Sequence, residues 1–265
     1  MRRTHPTAAE AGLRFLYHYQ KFNQAHLTTL LRDQKIYCSD TSSMNDPWDF
    51  RPAFDYQPML IDPGNMSRMF EHFSAAADPE IVNHPLRLLL EQNVRGSEEE
   101  LRNFVAKASN ILARELWKRR IYCLTPLYDS TLMWSHYARN HAGVCLEFRV
   151  DNDLFGNALK VDYFENYPSL TPHDAPIDPT SMVLTKAIDW TYEGEYRLIG
   201  TPKLPGTPLH LDGEFLHLPK GALQAIIVGC EAKRDAITKL IRKFAPSLPI
   251  KYAQRASNKY KLEII

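Results

Sequence analysis

The stretch with the densest set of reactive side chains runs from Lys186 to Gly200 and reads KAIDWTYEGEYRLIG. Its pattern predicts a single extended strand. Because side chains alternate between the two faces of a strand, Glu193, Glu195 and Arg197 are predicted to share one face. Such a face carries either cross-strand ion pairs, which are usual on an exposed strand, or a functional site. We favour a site, because three other polar and aromatic clusters need a partner.

Those three clusters lie in the first fifth of the chain and around its middle. A single histidine on a strand is usually structural, and Asn and Asp side chains in a loop usually bond their own backbone. Aromatic residues at helical spacing usually belong to the core, although Trp and His together can also form the wall of a pocket for a flat ring. The candidates for ligand contact are Tyr17, His18, Tyr37, Ser39, Asn45, Asp46, Trp134, His136 and Tyr137.

Composition limits how a charged partner could bind, because nucleic acid or an anionic membrane would have to meet a local patch. The 265 residues include 32 Lys and Arg against 31 Asp and Glu, so no global field attracts nucleic acid or an anionic membrane. No apolar run approaches the roughly 20 residues that span a bilayer, and the N-terminal residues lack the apolar core of a signal peptide. The cysteines are widely spaced and form no CxxC pair, which indicates neither a zinc site nor a disulfide framework. We expect a cytoplasmic protein that does not bind membranes.

The order of apolar patterns predicts an α+β fold, with a mixed, largely antiparallel, twisted sheet in a single domain over residues 1–265. A helical insertion is predicted over residues 58–120, with Ser97 and Glu100 as a capping box. A further helix is predicted over residues 131–141, capped by Asp129 or Ser130 and ended by Gly143. The predicted strands are 14–20, 35–40, 121–125, 144–150, 159–164, 186–200, 225–230, 250–253 and 260–265, and residues 166–180 are predicted to be a proline-rich loop.

The four clusters together follow one long pattern. It appears here as LYHY (16–19), IYCSDTSSMNDPWD (36–49), MWSHYARNHAGVCLEF (133–148) and KAIDWTYEGEYR (186–197). This pattern resembles the bacterial DUF2971 family, a domain of unknown function. The match spans nearly the whole chain apart from the middle helices, and a motif of this length is specific. The resemblance implies a family but no activity.

The order of the clusters is also similar to that of ADP-ribosyltransferases. These enzymes carry a His or Arg on a first strand, an aromatic or Ser-rich second strand, and a late Glu that belongs to a Glu-x-Glu pair in arginine-directed members. Here His18, then Tyr37 with Ser39, then Glu193-Gly194-Glu195 follow that order. The opening LYHYQKFNQAHLTTLLRDQKIY looks like that of members that modify nucleic acid. The resemblance implies an NAD-using bacterial toxin or antiphage effector, with nucleic acid or protein as acceptor.

The resemblance also implies roles for individual residues. Glu195 would stabilise the oxocarbenium-like charge that develops when the nicotinamide–ribose bond breaks, and Glu193 would orient or deprotonate the acceptor. His18 would hydrogen-bond the adenosine-side ribose and Tyr37 would stack on nicotinamide. Arg197 would pair with the pyrophosphate. The other candidates would line the NAD site: Tyr17, Ser39, Asn45, Asp46, Trp134, His136 and Tyr137.

Two further functions stay open at this point. The first is a metal-dependent nuclease, in which Asp46, Asp49, Glu193, Glu195 and Lys186 would hold Mg²⁺ and a water nucleophile, and the basic residues 118–120 would meet phosphates. The second is a non-catalytic binding or interaction module, in which the clusters form one polar network that ties the sheet together.

Overall fold

A computed structural model describes residues 5–51, 53–77, 91–170, 182–202 and 204–265. The chain divides into two compact units. The first consists of Met1–Ser43, Arg119–Tyr163 and Ile188–Ile265, and the second of Met44–Lys118 and Phe164–Ala187. The second unit contains most of the predicted insertion over residues 58–120 and adds a later segment of the chain.

The elements are numbered here in chain order. The helices are α1 (Gln24–Asp33), α2 (Gln57–Ile61), α3 (Pro63–Ala77), α4 (Glu98–Trp117), α5 (Thr131–Tyr137) and α6 (Arg234–Phe244). The strands are β1 (Phe15–Gln20), β2 (Lys35–Tyr37), β3 (Ser39–Asp40), β4 (Ala53–Phe54), β5 (Arg120–Leu124), β6 (Val144–Arg149), β7 (Leu159–Lys160), β8 (Asp162–Phe164), β9 (Ser169–Leu170), β10 (Thr185–Ala187), β11 (Tyr196–Gly200), β12 (Phe215–His217), β13 (Leu223–Val228), β14 (Ile250–Arg255) and β15 (Leu262–Ile264).

Two sheets form the framework of the first unit. The larger has the order β1-β6-β13-β14-β15, and the smaller has the order β3-β5-β11-β7. Their pairs are antiparallel except for β13 and β14, which run parallel because α6 connects them in a crossover. The prediction of an α+β fold with a mixed, largely antiparallel sheet is confirmed.

The larger sheet is covered on both faces, which explains the nearly continuous apolar run of β6. Residues 144–148 are all buried, and only Arg149 at the end of the strand is exposed. One face packs against α1 and α6, through Leu27, Leu30, Ile237 and Ile241 among others. The other face packs against α5, where Trp134 is completely buried. A strand that is buried on both faces loses the polar alternation of a half-exposed one.

The second unit has its own small core. Met59, Met69, Phe70 and Leu101 are buried there between α2, α3 and α4. Ser97 caps α4 as predicted, since its Oγ accepts the backbone N–H of Glu100 at 3.3 Å. β4 and β9 form a parallel pair in this unit. Among the described residues, no helix has the length and apolar character needed to cross a membrane.

Four predictions about elements are wrong. The predicted strand over 35–40 is divided into β2 and β3, which belong to different sheets. Residues 186–200 are not one strand, because a 3₁₀ turn over Ile188–Glu193 separates β10 from β11. Gly194 lies between turn and strand with φ of +53°, a left-handed conformation that glycine adopts without a steric cost. The predicted helix over 131–141 ends at Tyr137 instead, and the predicted strand over 159–164 is divided into β7 and β8. Most of the predicted proline-rich loop over 166–180, namely residues 171–180, lies outside the described residues, and β9 occupies part of the remainder.

Candidate active site

Glu193 is the last residue of the 3₁₀ turn that precedes β11, and it is buried. The hydroxyl of Tyr137, at the end of α5, donates a hydrogen bond to its carboxylate Oε1. Its backbone carbonyl accepts a second hydrogen bond, from Thr125 Oγ1 at 2.5 Å. Two different elements, α5 and the residue after β5, therefore fix the position of this acid.

Glu195 and Arg197 form a bidentate ion pair. Arg197 Nε lies 2.8 Å from Glu195 Oε1, and Nη2 lies 2.9 Å from Oε2. Since the two residues are two apart at the start of β11, their side chains share a face, as the sequence predicts. Glu195 is 3% exposed and Arg197 is 1% exposed, so the ion pair is shielded from bulk water. The planar fork of the guanidinium fixes the orientation of the carboxylate.

His18 lies in the middle of β1 and is held in one orientation. Its Nδ1 donates a hydrogen bond of 2.7 Å to the carbonyl oxygen of Cys123, and its ring stacks on Tyr122 with centroids 4.1 Å apart. Burial lowers the pKa of His18 from 6.5 to about 4, against the opposing effect of that hydrogen bond. At neutral pH the ring is therefore neutral with its proton on Nδ1, and Nε2 presents a lone pair.

These residues converge on the end of β5, which we call the strand junction and define as Cys123 to Thr125 with the side chains bonded to it. Thr125 and Tyr17 exchange backbone hydrogen bonds of 2.7 and 2.9 Å, which join β1 to β5. Cys123 binds His18 on one side and is the register partner of Arg197 on the other. His18 and the backbone of Glu193 are thus both bonded to this short piece of strand.

Two more candidates lie close to the strand junction. The Nδ1 of His136, an exposed residue of α5, lies 2.8 Å from the hydroxyl of Tyr192 in the 3₁₀ turn. Tyr17 is buried on β1 opposite Glu147, and its ring lies 5.4 Å from that of Tyr128. Burial and the nearby Glu147 raise the pKa of the Tyr17 hydroxyl, which therefore stays protonated.

Other predicted site residues contact different parts of the first unit. Tyr37 stacks on His26 at 4.5 Å and meets Phe215 edge-on at 5.8 Å, and Ser39 pairs with Ile121. Trp134 is 0% exposed, and its Nε1 donates to the carbonyl of Tyr128 at 3.0 Å. Its ring belongs to the core rather than to the wall of a pocket.

Asn45 and Asp46 belong to the second unit. Asp46 is buried, and its Oδ1 accepts the backbone N–H of Trp48 at 2.9 Å, which is the local turn chemistry expected of such a loop. The neighbouring Asp49 and Lys186, which the nuclease hypothesis uses, are also buried residues of this unit.

The described residues contain no group of three or more His, Cys, Asp or Glu side chains placed to hold a metal ion. Both carboxylate oxygens of Glu195 face the guanidinium of Arg197. A divalent cation at that carboxylate would lie beside a fixed positive charge, which makes this pair a poor metal ligand set.

Sequence reasoning missed Thr125, Cys123 and Tyr192 as parts of the site. Thr125 and Cys123 contribute through a hydroxyl and a backbone carbonyl at the end of a strand that reads as ordinary core. Tyr192 could have been identified, because it lies next to Glu193 in the stretch that we selected.

A sequence model of the family described as "Protein of unknown function (DUF2971)" matches residues 133–169. The match begins in α5, which carries Trp134, His136 and Tyr137, and continues through β6. It confirms the resemblance that the sequence motifs indicated. No curated protein and no solved structure matches the chain.

Proposed function

We propose that the chain is an NAD-using, ADP-ribosyltransferase-like enzyme whose reaction takes place at the strand junction of the first unit. The observation that carries the proposal is that the His18 ring and the backbone of Glu193 both bond to the end of β5, through Cys123 and Thr125. The resemblance to this class of enzymes requires a first-strand histidine near a late acid. Here His18 and Glu193, which are 175 positions apart in the sequence, bond to the same short piece of β5.

The state of His18 supports a role in binding ribose. A neutral imidazole with its proton on Nδ1 leaves Nε2 to accept a hydrogen bond from a ribose hydroxyl. The stacking on Tyr122 and the bond to the Cys123 carbonyl fix the ring before any ligand arrives. A ring fixed in advance loses little entropy on binding.

The two acids support the chemical step. In the proposed reaction the bond between C1′ of ribose and the nicotinamide nitrogen breaks, nicotinamide leaves with the bonding electron pair, and a nucleophile of the acceptor bonds to C1′. Positive charge develops on the ribose during this step, and a preorganised carboxylate shielded from water stabilises it far more than one in bulk water. We assign this role to Glu195, and to Glu193 the orientation or deprotonation of the acceptor.

The geometry changes one assignment from the sequence. Arg197 was expected to pair with the pyrophosphate of NAD, but its guanidinium holds Glu195 on two hydrogen bonds. We therefore propose that Arg197 is a positioning residue for the Glu195 carboxylate. An enzyme of this kind would suit a bacterial toxin or antiphage effector, with nucleic acid or protein as acceptor.

The test measures nicotinamide release from NAD by chromatography, with water able to replace the acceptor. Glu195→Gln should reduce the release rate by about 10²- to 10³-fold, the usual cost of one preorganised electrostatic group. The matched control is Glu147→Gln, because Glu147 is also buried and ion-paired, with Lys251 Nζ at 2.6 Å, but lies on β6. This control should keep the wild-type rate.

Two results would contradict the proposal. One is an unchanged rate of nicotinamide release in Glu195→Gln. The other is Mg²⁺-stimulated cleavage of nucleic acid that is lost in the same variant, which would support the nuclease instead.

A further inference from the structure

An open cavity of about 850 Å³ lies in the first unit, and its lining includes none of the residues assigned above to the reaction. It is lined by the hairpin that joins β14 to β15, together with Thr131, His141, Cys230 and Glu231. Its size falls within the range of 300–1,000 Å³ that is usual for ligand sites.

The lining of this cavity is positively charged. Arg255, Lys259 and Lys261 contribute three cations, against the single carboxylate of Glu231. The excess is local, since the whole chain has 32 basic and 31 acidic residues. Arg255 lies 3.8 Å from Glu231, and Lys261 lies 3.1 Å from Asp129. Exposed ion pairs of this kind contribute little stability, so phosphates can replace the carboxylate partners of these cations with a small loss of free energy.

An aromatic ring stands at the tip of the same hairpin. Tyr260 is 108% exposed, so its side chain extends into solvent, between Lys259 and Lys261 in the sequence. The hairpin below it is closed by a hydrogen bond of 3.0 Å from the Ala256 N–H to the Lys261 carbonyl. A tyrosine face flanked by cations is the arrangement on which single-stranded nucleic acid stacks its bases while its phosphates are neutralised.

Another part of the cavity lining, at His141, has a strained backbone. Arg139, Asn140 and His141 have φ of 50°, 52° and 66°, a left-handed run that is costly for residues other than glycine. It is held in place by the Glu231 N–H, which donates to the His141 carbonyl at 3.1 Å. His141 Nδ1 is buried and has no hydrogen-bond partner among the described residues.

We propose that this cavity binds a short segment of single-stranded nucleic acid, with its phosphates against Arg255, Lys259 and Lys261 and one base stacked on Tyr260. The inference does not depend on the proposed transferase activity, because binding requires no NAD. The two are connected through α5, which begins at Thr131 in the cavity and ends at Tyr137, the residue that bonds Glu193. Where both hold, the bound strand is the acceptor.

The experiment is a fluorescence-anisotropy titration of the full chain into a labelled single-stranded oligonucleotide of about 12 nucleotides, without NAD. Neutralisation of three phosphates on a single strand predicts a slope of about −2 for log K against log salt, or about 20-fold weaker binding between about 50 and 200 mM. Lys259→Ala should weaken binding and bring this slope to about −1.4, one phosphate fewer.

The aromatic contribution is tested separately. Tyr260→Ala should weaken binding by about 5- to 150-fold through the loss of one stacked base, whereas Tyr260→Phe keeps the ring and should bind as wild type does. Lys239→Ala is the matched charge control, because Lys239 is an exposed lysine of α6 that does not line the cavity. These positions are exposed, so thermal melting should show that every variant stays folded.

Three results would overturn the inference: equal affinity in wild type and Tyr260→Ala, equal losses in Lys259→Ala and Lys239→Ala, or affinity for a duplex of the same sequence that matches or exceeds that for the single strand. Loss of nicotinamide release with intact oligonucleotide binding would refute only the proposed enzyme.

Discussion

His18 makes the stability of the protein depend on acid. Burial lowers its pKa from 6.5 to about 4 in the folded state. Between these two pH values the imidazole is therefore protonated in the unfolded chain and neutral in the folded chain. The free energy of unfolding is therefore unaffected by the titration of this residue above pH 6.5, and it decreases as the pH falls towards 4, because protonation favours the unfolded chain. From these two values the free energy of unfolding should fall by about 2 kcal/mol between about pH 8 and pH 5 through this residue.

The assay is urea unfolding at a series of pH values, comparing the wild type with His18→Asn. The asparagine amide can still donate to the Cys123 carbonyl, but it does not titrate, so the difference between the two curves isolates the imidazole. The wild type should lose about 2 kcal/mol more than His18→Asn over this range. His217→Asn is the control, because it removes an exposed histidine of β12 and should leave the wild-type loss in place.

Parallel pH profiles for the wild type and His18→Asn would refute the reasoning. They would mean that water reaches the imidazole in the folded protein, and that the ring is not held in the neutral Nδ1–H form that the ribose-binding role requires.

Three further changes test the packing around the site, each by urea unfolding followed with tryptophan fluorescence or circular dichroism. Arg197→Met should lower the free energy of unfolding by about 3–5 kcal/mol, since it leaves the Glu195 carboxylate buried without this guanidinium, and a loss under 1 kcal/mol would contradict the buried pair. Trp134→Ala should cost about 3–5 kcal/mol, because Trp134 fills the core between α5 and the sheet, and a near-neutral effect would place the ring in a pocket instead. Gly229→Ala should cost about 1–3 kcal/mol, because the added Cβ would overlap the carbonyl oxygen of His141, and an unchanged midpoint would show that this loop is looser than described.

Much of the fold follows from local sequence rules. The apolar run of β6 and the aromatic-rich sequence of β1 identify strands, because burial of both faces of the larger sheet favours such residues. Ser97 was identified as one helix cap and either Asp129 or Ser130 as another, because such side chains accept the N–H groups left free in the first turn. The structure shows Ser97 and Ser130 in this role.

Two local predictions failed because tertiary contacts decided the outcome. The run at 186–200 has the composition of a strand, but Gly194 adopts a left-handed conformation and the preceding residues form a 3₁₀ turn that brings the Glu193 carbonyl to Thr125. Gly143 was expected to end a long helix, but α5 stops earlier. A Cβ at residue 143 would overlap the carbonyl of Gln20, so the glycine is required by a close approach to β1 instead.

The site was predictable only in part. Glu195 and Arg197 share a face because they are two residues apart on a strand, which sequence alone indicates. The meeting of His18 with Cys123 depends on the pairing of distant strands, and no spacing rule specifies it. The sequence around Trp134 is compatible both with a residue that lines a pocket and with one that fills the core. Only the packing of α5 against the sheet distinguishes these two roles.

The most direct test of the central claim is a calorimetric titration of NAD into the wild-type protein and into His18→Ala, with a thermal-shift measurement in parallel. A ligand at a hundred times its dissociation constant stabilises the folded state by about 2.7 kcal/mol, so binding by the wild type should be plain in both signals. We expect His18→Ala to stay folded and to lose this stabilisation. Equal binding of NAD by both proteins, or stabilisation of the wild type by Mg²⁺ and not by NAD, would contradict it.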